Sequence, residues 1–262
     1  MSATSKFGLL GHPLGHSFSR QFHNSRFAEL HIDAEYYNYD LEDISRFPAL
    51  LESEPDLLGL NVTIPYKQAV MSFLDELDPL AERIGAVNVI KVERQPADVV
   101  RKTRIPGFFL KGFNSDIVGF KQSLLPMLNQ LGLRGGKALV LGTGGASKAI
   151  FVGLQDLGFH PVCVSRTSGD QKITYGDLTP ELMSECRVIV NCTPLGMFPK
   201  VDACPEIPYQ HLTAGHICFD CVYNPSETLF MKKAAEQGAL VKCGYEMLVG
   251  QALVSYRIWT EA

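Results

Sequence analysis

Lys137-Ala138-Leu139-Val140-Leu141-Gly142-Thr143-Gly144-Gly145-Ala146-Ser147, running on into Ala149-Ile150-Phe151-Val152-Gly153-Leu154, is the stretch that decides the fold. An apolar run ends in closely spaced glycines, and an apolar helical pattern starts directly after them. Strand, tight turn and helix in that order are the context of a dinucleotide-binding turn. Glycine lets the backbone approach a pyrophosphate, whose charge then lies at a helix N-terminus. The third position departs from G-x-G-x-x-G/A, because Ser147 stands there behind Ala146. A tight turn with no cofactor would use the same glycine pair, but the strand and helix around it favour a cofactor site.

The strand that follows, Pro161–Ser165, bears on which cofactor is held. A site for NAD usually has Asp or Glu at this strand's end, about 20 residues past the glycines, to hold the ribose 2′-hydroxyl. Here the chain reads Val164-Ser165-Arg166-Thr167-Ser168. An acid is absent, and Arg166 offers a planar fork for a 2′-phosphate, flanked by the hydroxyls of Ser165 and Thr167. Asp170 weakens the positive field and Lys172 partly restores it. A solvated loop arginine is the plain alternative; NADP is the expected cofactor.

Working outward, strand-like and helical runs alternate along most of the chain. Phe7–Leu10, Glu35–Tyr39, Leu57–Val62 and Ala86–Val92 read as short strands, with helical segments at Phe18–Leu30, Asp43–Leu51 and Tyr66–Leu74. Thr63 suits a cap and Pro65 a first turn for the last of these. The alternation predicts parallel strands joined by crossover helices. Glu93–Phe108 breaks the pattern with Arg94, Pro96, Arg101, Lys102, Arg104, Pro106 and Gly107, and reads as a hairpin or surface loop. A helix is expected from Ile117 to Leu131, further strands at Val188–Asn191 and Ile217–Val222, and a closing helix from about Glu246 to Trp259.

Composition narrows the function classes. The chain has 262 residues, 46% hydrophobic and 20% charged, enough for one large or two modest cores. A net charge of −4 does not favour nucleic acid as a partner. No apolar run approaches the roughly 20 residues that span a bilayer, and Met1–Lys6 leads into a strand without a signal-peptide core. Seven cysteines, an odd number, argue for a reducing compartment, hence the cytoplasm. Cys218 and Cys221 form a CxxC pair, but inside a strand-like run where a buried-core role is expected. His12 and His16 are separated by Pro13 and Gly15, so no helix places them as ligands, and no metal site is expected.

A second constellation lies upstream. Asn61-Val62-Thr63-Ile64-Pro65-Tyr66-Lys67, Gly85-Ala86-Val87-Asn88 and Asn114-Ser115-Asp116 put a lysine, an aspartate and neutral hydrogen-bonding groups at the ends of apolar runs. Oxidising an alcohol requires a group within about 3 Å to accept the hydroxyl proton. Lys67 can do so if desolvation lowers its pKa, with Asp116 to orient it. Equally, Lys67 fits an exposed first-turn lysine and Asp116 the cap of the next helix. Ser17 and Ser19, at a helix mouth, suit either a carboxylate or simple capping.

Taken together these motifs resemble the shikimate dehydrogenase family. The resemblance runs from Phe7 to Gln251 and includes G-x-P-x-x-H-S-x-S at 11–19, N-V-T-x-P-x-K at 61–67, G-A-V-N at 85–88 and N-x-D at 114–116. It continues through the glycine turn, N-x-T-P-L-G-M at 191–197, Asp220-x-Val222-Tyr223 and Gly244-x-x-Met247-Leu248-x-x-Gln251. The resemblance implies two α/β domains with the active site in a cleft between them. The N-terminal substrate-binding domain would span 1–113, completed by a C-terminal helix at 244–262, and the Rossmann-type NADP domain 114–243. It implies Lys67 and Asp116 as the catalytic pair, Ser17 and Ser19 on the substrate carboxylate, and Thr63, Asn88, Asp116 and Gln251 on the ring hydroxyls. It implies cofactor contacts from Gly142, Thr143, Gly144, Gly145, Ala146, Ser165, Arg166, Thr167, Thr193, Val222 and Gly244. The implied reaction is the reversible reduction of 3-dehydroshikimate to shikimate by a monomer or homodimer.

Three departures stand out: Arg20 where proline is common, Ser115 for the threonine of N-T-D, and Ser165 for the asparagine of N-R-T, with Asp170 where a second basic residue is frequent. The last bears on cofactor preference and leaves a quinate/shikimate dehydrogenase using NAD as the alternative. A non-catalytic metabolite sensor on the same fold would be free to lose Lys67 or Asp116, and both are present.

Overall fold

The computed structural model describes residues 4–15, 18–95, 102–169 and 172–261. The chain divides into two compact units, one drawn from Met1–Ser115 with Ala252–Ala262, the other from Asp116–Gln251.

The first unit contains β1 (Ser5–Gly11), α1 (Phe18–Glu29), β2 (Ala34–Asp40), α2 (Phe47–Ser53), β3 (Leu57–Val62), β4 (Glu76–Leu77), α3 (Pro79–Ile84), β5 (Val89–Arg94) and β6 (Phe108–Phe113). They form one sheet in the order β2-β1-β3-β5-β6-β4. Strand β1 pairs in parallel with β2 and β3, as the alternation predicts. Strand β3 pairs antiparallel with β5 and β5 with β6, while β6 pairs in parallel with β4, so the sheet is mixed. The β5–β6 pairing is the hairpin expected around Glu93–Phe108; Pro96 and Arg101 within it lie outside the described residues.

The expected helix over Tyr66–Leu74 is absent; only a short 3-10 turn forms, at Ala69–Phe73. The backbone is committed elsewhere. The Lys67 carbonyl accepts from the Val87 N–H at 2.7 Å, and Tyr66 N–H closes a turn onto the Thr63 carbonyl. With the Lys67 carbonyl aimed at Val87 and not along a helix axis towards the fourth residue on, the segment does not build a regular helical ladder. The segment at Asp43–Leu51 likewise splits, a 3-10 turn at Ile44–Arg46 preceding α2, whose Pro48 suits a first turn.

Side chains alternate across this sheet. One face packs Leu10, Leu60, Val62, Ile90 and Leu110 against Phe47 and Val70. The other packs Phe7 and Val89 with Phe27, Tyr36 and Trp259. Trp259 stacks on Phe7 at 4.8 Å and donates its indole N–H to the Ile90 carbonyl at 3.0 Å. Gly59 is required beneath it, because a Cβ there would run into the indole ring.

His23 of α1 lies in the same layer, 1% exposed and stacked on Tyr36 at 4.5 Å, with no hydrogen-bond partner for Nε2 among the described residues. Burial lowers its pKa from 6.5 to about 3. The unfolded chain therefore takes up a proton first, so stability is full above pH 6.5 and is lost as pH falls towards 3. The difference corresponds to on the order of 5 kcal/mol. The melting temperature of a His23→Phe variant, followed from pH 7 down to pH 4, should fall less steeply than that of the parent; equal slopes would refute the assignment.

The second unit contains α4 (Asp116–Gln130), β7 (Gly136–Leu141), α5 (Gly145–Asp156), β8 (Phe159–Ser165), β9 (Lys172–Thr174), α6 (Pro180–Glu185), β10 (Cys186–Asn191), β11 (Ile217–Asp220), α7 (Leu229–Glu236) and β12 (Leu240–Cys243). Helix α8 (Tyr245–Thr260) starts in this unit and continues past Gln251 into the first. The sheet order is β12-β11-β10-β7-β8-β9, with every pair parallel. That is the doubly wound dinucleotide arrangement, whose strand order reverses between β7 and β10. Apolar layers cover both faces, one around Phe120, Val140 and Phe219, the other around Leu139, Ile189 and Phe230. No helix of the described residues is long and apolar enough to cross a membrane.

Candidate functional site

In the first unit, the loops leaving β1 and β3 are tied together. Thr63 N–H donates to the Leu10 carbonyl at 2.9 Å, and His12 N–H to the Ile64 carbonyl at 3.1 Å. The loop after β1 is also held by Asp40, which accepts from Leu14 N–H at 2.8 Å and meets His12 Nδ1 at 2.6 Å. These bonds keep the Asp40 carboxyl below its usual pKa, the Leu14 contact foremost. Asn88 lies on the other side of β3. Its carbonyl accepts from Val62 N–H at 2.8 Å, its N–H donates to Phe113, and its side-chain Oδ1 accepts from Ser115 N–H at 2.7 Å. Lys67 bonds Val87, the neighbour of Asn88, through its carbonyl, and Thr63 follows Val62, so the backbone brings Thr63 and Lys67 to strand ends adjoining that of Asn88, which Ser115 bonds directly.

Asn88 and Ser115 are buried, while Thr63 and Lys67 are partly exposed. Ser19 sits in the first turn of α1, and its hydroxyl opposes the rise that burial causes in the Tyr36 phenol pKa. Ser17 lies outside the described residues, as do His16 and Asp170. Asp116 opens α4 as its first helical residue and is 5% exposed; Gln251, on α8, is also buried and donates to the Leu248 carbonyl. Both belong to the second unit.

In the second unit, the residues expected to hold the cofactor gather at the carboxyl ends of the strands. Gly142 follows β7 with φ of +106°, a conformation that disfavours any side chain, and a Cβ there would approach Thr193 Cγ2 at 3.1 Å. Thr143 is exposed, Gly144 is the N-cap of α5, and Gly145 and Ala146 are its first helical residues. The N-cap of this 12-residue helix, Gly144, makes no side-chain hydrogen bond, which suits its first N–H groups to an anion. Ser147, the departure from the glycine pattern, is buried and folds its hydroxyl back onto the Gly144 carbonyl at 2.6 Å. The helix thus tolerates serine where close packing usually selects glycine.

Arg166, just past β8, is exposed and forms no ion pair with the described residues; Ser165 Oγ accepts from Thr167 N–H at 3.3 Å. Among the described residues at this strand end, 164–169, none is a carboxylate. The chain therefore fits a nicotinamide dinucleotide with a 2′-phosphate.

A buried network that the sequence does not announce braces the remaining positions. Asp220, at the end of β11, accepts from Asn191 Nδ2 at 3.0 Å, Val222 N–H at 3.0 Å and Thr228 Oγ1 at 2.6 Å. Asn191 in turn accepts from the Thr193 N–H and hydroxyl, and Gly244 N–H donates to the Val222 carbonyl. Burial, opposed by these donors, raises the Asp220 carboxyl to about 6. Cys218 is core, its thiol pushed up to about 12 by burial. Cys221 faces Cys192 across 3.8 Å, not Cys218. No group of three or more His, Cys, Asp or Glu among the described residues is placed to hold a metal ion.

An all-parallel sheet with an uncapped glycine turn at its reversal point, accompanied by a mixed sheet with polar strand ends, defines a two-unit α/β protein of the nucleotide-binding dehydrogenase type. Residues 9–90 match the model of the shikimate dehydrogenase substrate binding domain. Over 99% of the chain it is 33% identical to shikimate dehydrogenase (NADP(+)) of Methanococcus vannielii, covering 92% of that protein. The enzyme of the same name from Clostridium beijerinckii is 38% identical, with 97% and 92% of the two chains covered. The crystal structure of shikimate 5-dehydrogenase from Thermus thermophilus, in complex with NADP(H) and shikimate, superposes with a TM-score of 0.80 at 30% identity, covering 98% and 94%. The chain belongs to the shikimate dehydrogenase family.

Proposed function

We propose that this protein is an NADP-dependent shikimate dehydrogenase, which reversibly reduces 3-dehydroshikimate to shikimate, a step in the making of aromatic amino acid precursors. The observation that carries the reading is the placement of Thr63, Lys67 and Ser115 about Asn88 in the first unit: Ser115 and Val62, the neighbour of Thr63, bond Asn88, and Lys67 bonds its neighbour Val87. The relatives named for this reaction cover nearly the whole chain, and one related structure holds both NADP(H) and shikimate.

Bound NADP supplies the hydride acceptor and, reduced, the donor. Lys67 takes the hydroxyl proton as the alcohol is oxidised and returns it on reduction. Asp116 orients Lys67 and a ring hydroxyl. Ser17 and Ser19 hold the substrate carboxylate, while Thr63, Asn88 and Gln251 hold the ring hydroxyls. The α5 N-terminus with Thr143, Gly144, Gly145 and Ala146 receives the pyrophosphate, and Arg166 with Ser165 and Thr167 the 2′-phosphate. Thr193, Val222 and Gly244 line the remainder of the cofactor's path. Seven unpaired cysteines support a reducing, cytoplasmic setting, and the protein acts as a monomer or homodimer.

The test is absorbance of the reduced nicotinamide, with shikimate or quinate and NADP or NAD in all four combinations. Turnover chiefly with shikimate and NADP is expected. Turnover chiefly with NAD or quinate would replace this reading by the quinate/shikimate dehydrogenase one, and inactivity in folded protein by the sensor.

A further inference from the structure

Within the first unit, a chain of buried polar side chains joins two residues assigned above to opposite ends of the substrate. At one end the Ser19 hydroxyl acts on the Tyr36 phenol, opposing the rise in its pKa that burial causes. Tyr36 donates its hydroxyl to Asn61 Oδ1 at 2.8 Å, and Asn61 Nδ2 donates to Ser255 Oγ at 2.8 Å. Ser255 Oγ lies 3.2 Å from Ser115 Oγ, which accepts from Asn88 Nδ2 at 2.9 Å. Tyr36, Asn61, Asn88, Ser115 and Ser255 are each at most 4% exposed.

Donor and acceptor roles leave the amides one orientation each. Asn61 meets a phenol donor at Oδ1 and a hydroxyl acceptor at Nδ2, so a flipped amide would point its NH₂ at the Tyr36 hydroxyl. Asn88 Oδ1 is fixed by the Ser115 N–H, which directs Nδ2 to the serine hydroxyl. Buried polar groups of this kind are costly when any member loses its partner. Asn61 stands in an otherwise apolar strand, Leu57-Leu58-Gly59-Leu60-Asn61-Val62, where packing alone would select another aliphatic residue.

We propose that Tyr36 and Ser255 are positioning residues for the substrate, holding Ser19 at its carboxylate and Asn88 at its hydroxyls in a single register through Asn61. The proposal rests on the assignment of Ser19 and Asn88 to substrate made above. Neither Tyr36 nor Ser255 need touch substrate. Tyr36 sets where the Ser19 hydroxyl sits, and Ser255 fixes the Ser115 hydroxyl against which Asn88 is oriented.

Tyr36→Phe removes only the hydroxyl and keeps the ring stacked on His23, so the fold should survive. Losing one such bond corresponds to roughly tenfold in affinity. Tyr36→Phe is expected to raise the KM for shikimate by about that factor while kcat and the KM for NADP stay within about threefold. Ser255→Ala should do the same independently. In double variants, Tyr36→Phe should add little to Ser19→Ala, and Ser255→Ala little to Asn88→Ala, as expected of residues acting through one another. A lowered melting temperature with unchanged shikimate KM, or fully additive doubles, would reduce the network to a structural brace and overturn the proposal. Wild-type KM in both Ser19→Ala and Asn88→Ala also overturns it, but by removing the substrate assignment. An unmodified protein inactive on shikimate would instead take away the reaction itself.

Discussion

Lys67→Ala is expected to lower kcat for shikimate oxidation by about 10²- to 10⁴-fold, the contribution of a positioned proton acceptor. The KM for shikimate should change far less, because the amine acts mainly as the hydroxyl proton leaves. The substitution is structurally mild. Lys67 holds Val87 through its backbone carbonyl, which alanine retains, and its side chain is only partly buried. A melting temperature close to that of the parent should therefore accompany the loss of turnover. Asp116→Asn in the Lys67→Ala background should add little to the loss of kcat, since the lysine it orients is gone, and should act instead on the KM for shikimate through the ring hydroxyl that Asp116 holds. A Lys67→Ala enzyme with the parent's kcat would remove Lys67 from the mechanism altogether.

Arg166→Ala should raise the KM for NADP by about 10- to 100-fold and leave that for NAD within about twofold. A hydrogen bond to a charged group contributes about 1.5–3 kcal/mol, and the guanidinium can make two to a phosphate. The position favours a clean result. Arg166 is exposed just beyond β8, with no ion pair among the described residues to break, so the change should not disturb the fold. The effect should shrink as salt is added, because an exposed charge is screened. Equal losses with both cofactors would mean that Arg166 supports the turn without reading the 2′-phosphate.

The glycine turn was readable because its signal is local. The strand before it, the absent side chains and the helix after it all fall within a short stretch, and the parallel sheet follows from the alternation around it. The antiparallel pairing of β3, β5 and β6 was not readable in the same way, because direction depends on which distant strand each one meets. The missing helix after Pro65 has a similar cause. Tyr66–Leu74 carries an acceptable helical pattern, but the Lys67 carbonyl is taken by Val87, 20 residues further on.

The candidate site divides along the same line. Lys67, Asn88 and Arg166 sit at the ends of apolar runs, where an isolated polar residue is conspicuous. Tyr36 gave no such signal, since Glu35-Tyr36-Tyr37-Asn38-Tyr39 offers three tyrosines without distinction, and only the hydrogen bond to Asn61 separates one from the others. Ser255 sits in a helix with nothing nearby in sequence to mark it. Its partners, Asn61 and Ser115, are 194 and 140 residues away. Asp220 was visible as part of a motif, but its burial and its three donors were not.

Trp259 covers Gly59, stacks on Phe7 and bonds the strand that carries Ile90. A ribosome releases the chain from its N-terminus, so the first 115 residues emerge long before this indole does. Until then the aromatic layer around Phe7, Phe27 and Tyr36 lacks its lid, and Asn61 lacks the Ser255 hydroxyl. The second unit is contiguous in sequence, whereas the first needs residues from both ends of the chain. The half that begins synthesis is therefore completed only by the chain's last helix, and a nascent chain stalled before Trp259 would present an open apolar layer to chaperones.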